Sequence, residues 1–264
     1  MNSRSPESKS AAVRDIAEFD RDHKSALQRI WFLGDVHGNF QHVSKALLAV
    51  QEKPRWLVFL GDVDIKDVPF REILAPLKKS YPEIRIAFIH GNHDADTLAH
   101  WNMLHDCGDA EALHGKVVDM DGVRVAGLGG NFMGRVWNPP AEEKFQSKDE
   151  AMRRGSYHSG NGQAPKPALH AAIYPADLKA LSKQRADILV THEAPSCHPF
   201  GYFALDELAR SLQAVRSFHG YHHDDRSEDY ANLRSTLRFD ARAVTFCGIK
   251  NGLGEVIFSN PPAW

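Results

Sequence analysis

Side chains that can bind a metal ion follow several short apolar runs of this 264-residue sequence. The run "WFLGDVHGNF", residues 31–40, ends in Asp35 and His37 with a glycine on each side of the pair, and "WLVFLGD" ends in Asp62. In extended backbone, residues two apart point the same way, so Asp35 and His37 are predicted to hold one ion together. The glycines let the backbone turn sharply and let a substrate approach closely.

Three further segments carry the same kinds of side chains. They are Asn92, His93 and Asp94 in "RIAFIHGNHD", His192 in "DILVTHEAP", and His219, His222 and His223 in "FHGYHHDD". Carboxylate, imidazole and amide ligands without a thiolate favour Mn, Fe or Zn in a reactive site over a structural zinc cage. A carboxylate can bridge two ions about 3.5–4 Å apart, the spacing used in phosphate-ester hydrolysis. Asp62 is our candidate for that bridge.

The apolar runs and the segments between them predict the elements that position these residues. The predicted strands are "RIWFLGD", "WLVFLGD", "RIAFIHGNHD", "VRVAGLGGN", "DILVTHEAP" and "AVTFCG", and runs of this kind are typical of strands buried on both faces. The predicted helices are "QHVSKALLAVQE", "PFREILAPLKKS", "TLAHWNMLHDC", "YPADLKALSKQRA" and "LDELARSLQAVRSF", the last with Val215 on its apolar stripe. This alternation predicts a layered α/β fold, in which polar groups gather beyond the carboxyl ends of the strands.

Length and composition indicate one domain over residues 29–264, preceded by a polar segment, residues 1–28, whose first twenty or so residues we expect to be frayed or weakly helical. Residues 132–172, rich in Gly, Pro and charge, interrupt the alternation as an irregular insertion. We expect this insertion to border the crevice and to select substrates.

The charge and composition exclude some classes of partner. A formal net charge of −2 gives no general attraction to nucleic acid or to an anionic membrane, so nucleic acid enters only as a substrate. No apolar run approaches the ~18 residues needed to cross a bilayer, and the first 28 residues lack the apolar core of a signal peptide. Three scattered cysteines indicate a reducing compartment, so the cytoplasm is the predicted location. The oligomeric state is left open.

Five motifs then occur in a fixed order over about residues 30–225: "GDVHG", "LGD", "GNHD", "THEAP" and "GYHH". Their order and spacing resemble the calcineurin-like metallophosphoesterases, whose pattern is D-x-H, G-D, G-N-H-[DE], a single His, and G-H-x-H. The resemblance implies a four-layer αββα sandwich of two mixed β-sheets flanked by helices, with the metal site at the carboxyl ends of the strands.

The resemblance also implies two metal ions and the residues that hold them. Asp35, His37, Asp62 and His223 would hold the first ion, and Asp62, Asn92 and His192 the second. The first His of G-H-x-H would complete the second site, and Tyr221 stands there. Three outcomes are open: Tyr221 binds as phenolate, His222 or His219 replaces it, or the second ion binds weakly. The last is favoured, because a phenol with a reference pKa near 10 is a poorer ligand than neutral imidazole.

The implied reaction is hydrolysis of a phosphomonoester or phosphodiester by a metal-bound hydroxide. His93 would donate a proton to the leaving oxygen or hold the phosphate, and Asp94 would orient that imidazole. In the branch of the family that "GDVHGNF" resembles, the second motif reads G-D-x-V-D-R-G, and its Arg binds phosphate. Here the segment reads "GDVDIK" and lacks that Arg. The motif "GNHD" favours phosphodiesterases, so both ester classes stay open. The alternative is a non-catalytic scaffold that binds a phosphorylated ligand or partner, favoured by Tyr221 and opposed by the intact "GNHD".

Several polar residues have a simpler reading. A single Asp or His at a strand end is usually a turn or cap residue, so only the joint arrangement argues for ligation. His90 and His100 are interpreted as structural. His198 could face the site, but a surface position is favoured. Asp64 is either a turn residue or a support for the metal site. Arg153 and Arg154 are interpreted as solvated charges rather than as phosphate ligands.

Overall fold

The computed structural model describes residues 15–154, 166–222 and 228–259. These residues form eleven β-strands and eight α-helices, and none of these helices is long and apolar enough to cross a membrane. The strands are β1 Ile30–Leu33, β2 Trp56–Leu60, β3 Arg85–Ile89, β4 Glu111–Ala112, β5 Val117–Met120, β6 Val123–Leu128, β7 Ile188–Thr191, β8 Arg216–His219, β9 Asp240–Ala243, β10 Ile249–Asn251 and β11 Val256–Phe258. The helices are α1 Ile16–Gln28, α2 Gln41–Ala49, α3 Phe70–Ser80, α4 Leu98–His105, α5 Lys148–Arg153, α6 Pro175–Leu181, α7 Phe203–Leu212 and α8 Glu228–Arg234.

The strands form two mixed sheets. One has the order β11-β10-β1-β2-β3-β4 and the other β5-β6-β7-β8-β9. Strands β1 to β4 run parallel to one another, as do β6 to β9, while β10, β11 and β5 pair in antiparallel fashion. The parallel strands therefore present their carboxyl ends along one edge of each sheet, where α/β folds place their ligands.

Three apolar cores hold the layers together. Between the sheets, Phe32 of β1 stacks on Phe218 of β8 with ring centroids 4.0 Å apart. Helices α2, α3 and α4 cover the outer face of the six-stranded sheet, where Phe70 packs edge-on against Phe88. Helices α6 and α7 cover the five-stranded sheet. The order helix, sheet, sheet, helix confirms the predicted four-layer αββα sandwich.

The second half of the polar N-terminal segment is the helix α1. Its residues Phe19 and Leu27 are buried in the core between the sheets. Asp20 of the same helix pairs with Arg216 of β8, a side chain that is only 2% exposed. The expectation that the first twenty or so residues are frayed or weakly helical is therefore wrong for residues 16–20, which begin this helix. Two buried apolar residues and one ion pair fix this helix, and its low average hydropathy concealed them.

The predicted helix that included Val215 ends earlier. Helix α7 stops at Leu212, and Gln213 adopts a left-handed backbone with φ of 59°. Val215 is buried in the core between the sheets, and β8 begins at the next residue. Phe218 of β8 lies three residues after Val215 and continues the apolar spacing of the helix, so the local pattern did not reveal the strand.

The segment "AVTFCG" is a turn rather than a strand. Strand β9 ends at Ala243, and Cys247 has a φ of 50° just before β10 begins. The Cys247 amide donates a hydrogen bond of 3.1 Å to the carbonyl of Asp35. This apolar segment therefore closes over the loop that carries Asp35.

The described part of the insertion is not irregular throughout. Residues 132–154 and 166–172 contain α5 and a 3-10 turn at Pro167–Ala171. Phe145, Leu169 and Tyr174 pack there with Val136 in a small core of their own. Residues 155–165 lie outside the described residues.

Candidate metal centre

Polar residues from both sheets meet at the carboxyl ends of the parallel strands. The loops after β1, β2 and β3 carry Asp35, Asp62 and Asn92, and the loops after β7 and β8 carry His192 and Tyr221. His192 directly follows the last residue of β7. Each sheet therefore supplies one side of a single crevice.

Asp35, His37 and Asp62 form the first group of donors. One ligand atom from each residue lies within 4.8 Å of the other two. Asp35 and Asp62 are buried, and His37 Nε2 lies 3.8 Å from Asp62 Oδ2. Two carboxylates and one imidazole suit a divalent transition metal such as Mn, Fe or Zn. The structure brings the three predicted ligands together, and their binding of an ion stays a prediction.

The loops, rather than the strands, make these residues converge. Strand β1 ends at Leu33, so the explanation of Asp35 and His37 by alternation along extended backbone is wrong. His37 has a φ of 42° and Asp62 one of 43°, which are left-handed values that cost about 1–3 kcal/mol each for residues other than glycine. Such strain is concentrated at functional sites. At Gly91 a Cβ would overlap Asp62 Oδ1, so only glycine fits there.

His192, Asn92 and Asp62 form the second group of donors. His192 Nε2 lies 3.5 Å from Asp62 Oδ2 and 3.1 Å from Asn92 Oδ1. The other ring nitrogen, Nδ1, donates to the carbonyl of Leu60 at 2.9 Å. Because Nδ1 carries the proton that is donated to this carbonyl, the neutral ring has its lone pair on Nε2. This is the arrangement found at metal-binding histidines. The donor set therefore fits a second ion that shares Asp62.

In the metal-free crevice, a proton on His192 offsets part of the carboxylate charge. Burial by itself lowers the pKa of His192, but the carboxylates of Asp62 and Asp35 outweigh burial and raise it. Burial by itself raises the pKa of Asp62, and His192 together with hydrogen bonds lowers it to about 2. The metal-free protein thus pairs a protonated His192 with an ionised Asp62. An ion that binds His192 Nε2 must displace this proton.

Tyr221 supports Asp35 through its backbone. Its φ is 60°, and its amide donates to Asp35 Oδ2 at 3.0 Å. Its ring lies 5.2 Å from the ring of His192. Burial, and then the carboxylates of Glu193 and Asp62, raise the pKa of the phenol. In the metal-free protein, the phenolate form needed for ligation is therefore disfavoured.

The neighbouring histidines are held in other contacts. His219 is buried, with Nε2 3.0 Å from the Tyr230 hydroxyl, so it is fixed away from a ligand position. The ring of His222 stacks on that of His198 at 4.0 Å. His198 is 7% exposed, so its interpretation as a surface residue is wrong. His223, the predicted fourth ligand of the first ion, lies outside the described residues.

His93 is exposed at the mouth of the crevice and is oriented by Asp96. Its Nδ1 lies 3.0 Å from Asp96 Oδ2, and this hydrogen bond is the main cause of a raised His93 pKa, with burial opposing it. Asp94, to which we assigned this orienting role, is buried and accepts from the amides of Gly91 and Asp64. That assignment is therefore wrong. In the 3-10 turn His93–Ala95, residues three apart are aligned, which is the signal that points to Asp96.

The remaining predicted residues divide between support and local structure. Asp64 Oδ2 lies 3.5 Å from His37 Nδ1, so Asp64 positions the side chain of this candidate ligand in addition to forming a turn. Arg154 bonds the carbonyl of Lys144 and the carboxylate of Glu150 within the insertion. The Arg154 side chain is 58% exposed, which agrees with its interpretation as a solvated charge.

Comparison with known proteins identifies the class. The profile described as calcineurin-like phosphoesterase matches residues 28–225. An uncharacterized protein of Haemophilus influenzae (strain Rd) is 34% identical over 206 residues, which cover 74% of this chain and 84% of that protein. The chain therefore belongs to the calcineurin-like phosphoesterase family, a family of metal-dependent phosphoesterases.

A solved structure shares the fold. The crystal structure of TT1561 of Thermus thermophilus superimposes with a TM-score of 0.51 at 14% identity, covering 84% of this chain and 94% of that one. At this identity the similarity concerns the fold alone.

Proposed function

We propose that this protein is a metal-dependent hydrolase of phosphomonoesters or phosphodiesters. The observation that carries the proposal is the group formed by Asp35, His37 and Asp62, whose ligand atoms lie within 4.8 Å of one another. His192 and Asn92 extend this group from the other side of Asp62. Membership of the phosphoesterase family supports the same reaction class.

The donor sets allow two ions, Mn, Fe or Zn, that share Asp62. Asp35 and His37 would complete the first site, with His223 as the predicted fourth ligand, and Asn92 and His192 would complete the second. Bound ions would supply a nucleophile at neutral pH by acidifying water, and would offset the negative charge of the phosphoryl group. The protein contributes buried, fixed ligands and the groups that hold them in place, to which Asp64 and the Leu60 carbonyl belong.

His93 is the proposed proton donor to the leaving oxygen. Its hydrogen bond to Asp96 raises its pKa, which favours the protonated ring near neutral pH. Its backbone amide donates to Asp62 Oδ1 at 2.9 Å, so the position of the donor is tied to that of the shared ligand. The exposed ring can reach a substrate at the mouth of the crevice or hold one of its phosphoryl oxygens.

An assay of both ester classes tests the proposal. Metal-free protein is supplied in turn with Mn²⁺, Fe²⁺ and Zn²⁺, and hydrolysis of p-nitrophenyl phosphate and of bis(p-nitrophenyl) phosphate is measured. We expect turnover of at least one ester with at least one metal, and its loss on addition of a chelator. Hydrolysis of the diester would bring nucleic acid into consideration as a substrate. Absence of turnover with all three metals would contradict the proposal.

The second candidate function is a non-catalytic scaffold that binds a phosphorylated ligand or partner. Tyr221 favours it, because a phenol with a raised pKa stands where the family has a ligand histidine. The exposed His93, held by Asp96, argues against it, since a binding scaffold has no need of a proton donor. Metal-dependent binding of phosphate esters without turnover would favour the scaffold.

A further inference from the structure

A cavity with both apolar and basic lining residues lies outside the metal centre. It has a volume of about 310 Å³ and is bounded by α4, the edge strand β4, α5 and the 3-10 turn at Pro167–Ala171. Its lining residues include His90, Trp101, His105, His114, Lys148 and His170. None of these residues has a role in the hydrolysis proposed above.

Trp101 stands at the middle of this group. Its ring centroid lies 4.8 Å from that of His90, 3.9 Å from that of His105 and 5.0 Å from that of His170. The Lys148 ammonium lies 4.6 Å from the Trp101 centroid. Three imidazoles and one ammonium group are thus gathered around one indole.

Several polar groups in this cavity lack a partner among the described residues. His90 is 3% exposed, and its Nε2 makes no hydrogen bond within the described chain. The same holds for His170 Nδ1. Lys148 Nζ makes neither an ion pair nor a hydrogen bond within the described ranges, and burial lowers its pKa. Buried polar groups are normally hydrogen-bonded, so the unpaired nitrogen of the buried His90 indicates a missing ligand, and the half-buried His170 and Lys148 stand beside it.

The chemistry of the group selects an anion rather than a metal ion. Among the described residues, the set of three or more His, Cys, Asp or Glu with ligand atoms within 4.8 Å is Asp35, His37 and Asp62, so the cavity histidines are not arranged around an ion. The Lys148 ammonium would also repel a cation. An ammonium and imidazole N–H groups suit an oxyanion, because hydrogen bonds between charged partners are the strong ones.

Two further histidines of the cavity already use a ring nitrogen in a hydrogen bond within the protein. His114 Nδ1 accepts from the Gly129 amide, so the neutral ring carries its proton on Nε2 and faces Asp177 Oδ2 at 3.6 Å. His105 uses its Nδ1 proton on the Trp101 carbonyl. Asp177 is the carboxylate that lines the cavity, and it is occupied by His114 and by the Tyr174 amide. The donors left for a ligand are Lys148, His90 and His170.

We propose that this cavity binds a phosphate-sized oxyanion, with Lys148 supplying the charge and His90 and His170 donating N–H bonds. The anion is inorganic phosphate or the phosphate group of a small monoester. The site is separate from the metal ligands, so the proposal does not depend on the hydrolase function.

The test uses metal-free protein, because the metal-free crevice is rich in carboxylates and does not attract phosphate. Inorganic phosphate is titrated at constant ionic strength by isothermal calorimetry and by thermal unfolding, and glycerol 3-phosphate is titrated in parallel. We expect saturable binding of phosphate and a matching rise in Tm. Binding of both compounds would identify a monoester site, and binding of phosphate alone would identify a site for the free ion.

Three variants, two at Lys148 and one at a distant lysine, decide the assignment. Lys148→Met keeps the contact with Trp101 but removes the charge, and we expect affinity to fall about ten-fold or more. Lys148→Arg keeps the charge and should retain binding. Lys183→Met, an exposed change elsewhere, should have no effect.

The proposal is overturned if wild-type protein shows no saturable binding, or if Lys148→Met binds phosphate as tightly as wild type. A cooperative thermal transition of each variant without phosphate shows that it is folded. Should Lys148→Met lack this transition, His170→Phe removes an N–H donor while keeping a ring. An unchanged affinity in that variant would equally count against the site.

Discussion

Asp62 is the residue on which the two donor groups of the crevice depend. Its Oδ2 lies 3.8 Å from His37 Nε2 and 3.5 Å from His192 Nε2, and its Oδ1 accepts the amide of His93. One carboxylate therefore contacts both groups of ligands and positions the proposed proton donor. Its left-handed backbone is a further sign that the fold holds it under strain.

Replacing Asp62 by Asn should abolish turnover in a folded protein. The amide has nearly the same shape but lacks the negative charge that holds two cations, so we expect kcat/KM to fall about a thousand-fold or more. Mn²⁺ binding by calorimetry should weaken in parallel. Asp67→Asn, an exposed change in the same loop, serves as the control. Undiminished hydrolysis by Asp62→Asn would remove the bridging assignment.

Asp96 should set the pH dependence through His93. Because the carboxylate raises the pKa of His93, the acid form of this ring persists to higher pH than in an ordinary histidine. Asp96→Asn should therefore move the alkaline limb of the kcat/KM profile to lower pH. Asp67→Asn should leave that limb in place. A profile that does not move in Asp96→Asn would mean that His93 is not the proton donor, or that Asp96 does not control it.

Tyr221 should weaken the second metal site. The phenol has a raised pKa and is a poorer ligand than neutral imidazole. We expect metal analysis after dialysis to find fewer than two ions per chain in the wild type, and closer to two in Tyr221→His. Tyr202→His, a change at another half-buried tyrosine, controls for added histidine. Two tightly held ions in the wild type would contradict this expectation.

At the scale of elements, helix α1 depends on a buried ion-pair network. Arg216 of β8 donates to Asp20 of α1 and to Asp240 of β9, each at 2.9 Å, and also to the Gly252 carbonyl. The network links the N-terminal helix to the five-stranded sheet and to the turn after β10. It explains why a helix with a mostly polar sequence is held on the core.

Removing the buried arginine should therefore destabilise the fold. Arg216→Met removes the buried partner of Asp20 and leaves Asp240 with only its partly exposed partners, and we expect the free energy of unfolding to fall by about 3–5 kcal/mol. Arg242→Met removes a partly exposed partner of the same Asp240, and should cost no more than about 1 kcal/mol. Urea unfolding measures both variants. Equal losses in the two would show that burial of the pair is not the decisive factor.

At the scale of the whole molecule, the crevice joins the two sheets. Asp35, Asp62 and Asn92 follow strands of the six-stranded sheet, whereas His192 and Tyr221 follow strands of the five-stranded sheet. An ion bound by residues from both sheets would therefore link the sheets at the carboxyl ends of their parallel strands. Binding to the folded state alone stabilises that state by mass action.

Metal binding should accordingly raise Tm and release a proton. In the metal-free crevice the pKa of His192 is raised, so the ring is protonated at neutral pH and the ion must displace this proton. Metal affinity should therefore increase as the pH rises towards the pKa of His192, because less of the ring is protonated there. Calorimetry in two buffers of different ionisation enthalpy measures the protons released per ion. Heats that do not depend on the buffer would contradict this expectation.

The sequence by itself determined the α/β class, most of the strands and the residues that converge. Apolar runs ending in Asp, His and Asn identify strand ends, and the order of five motifs identifies the family over residues 28–225. These features are local, because each motif lies within a few residues of its strand.

Only the tertiary structure decided how those residues are used. The partner of His93 is Asp96 rather than Asp94, because a 3-10 turn reverses which carboxylate faces the ring. Helix α1 was misjudged because it is held by Arg216, which meets Asp20 from a distant part of the chain. Strand β8 was misjudged because it pairs with β7 and β9, and neither partner is local in the sequence. Contacts between distant residues depend on loop conformations and on packing of the layers. The periodicity of the sequence predicts neither.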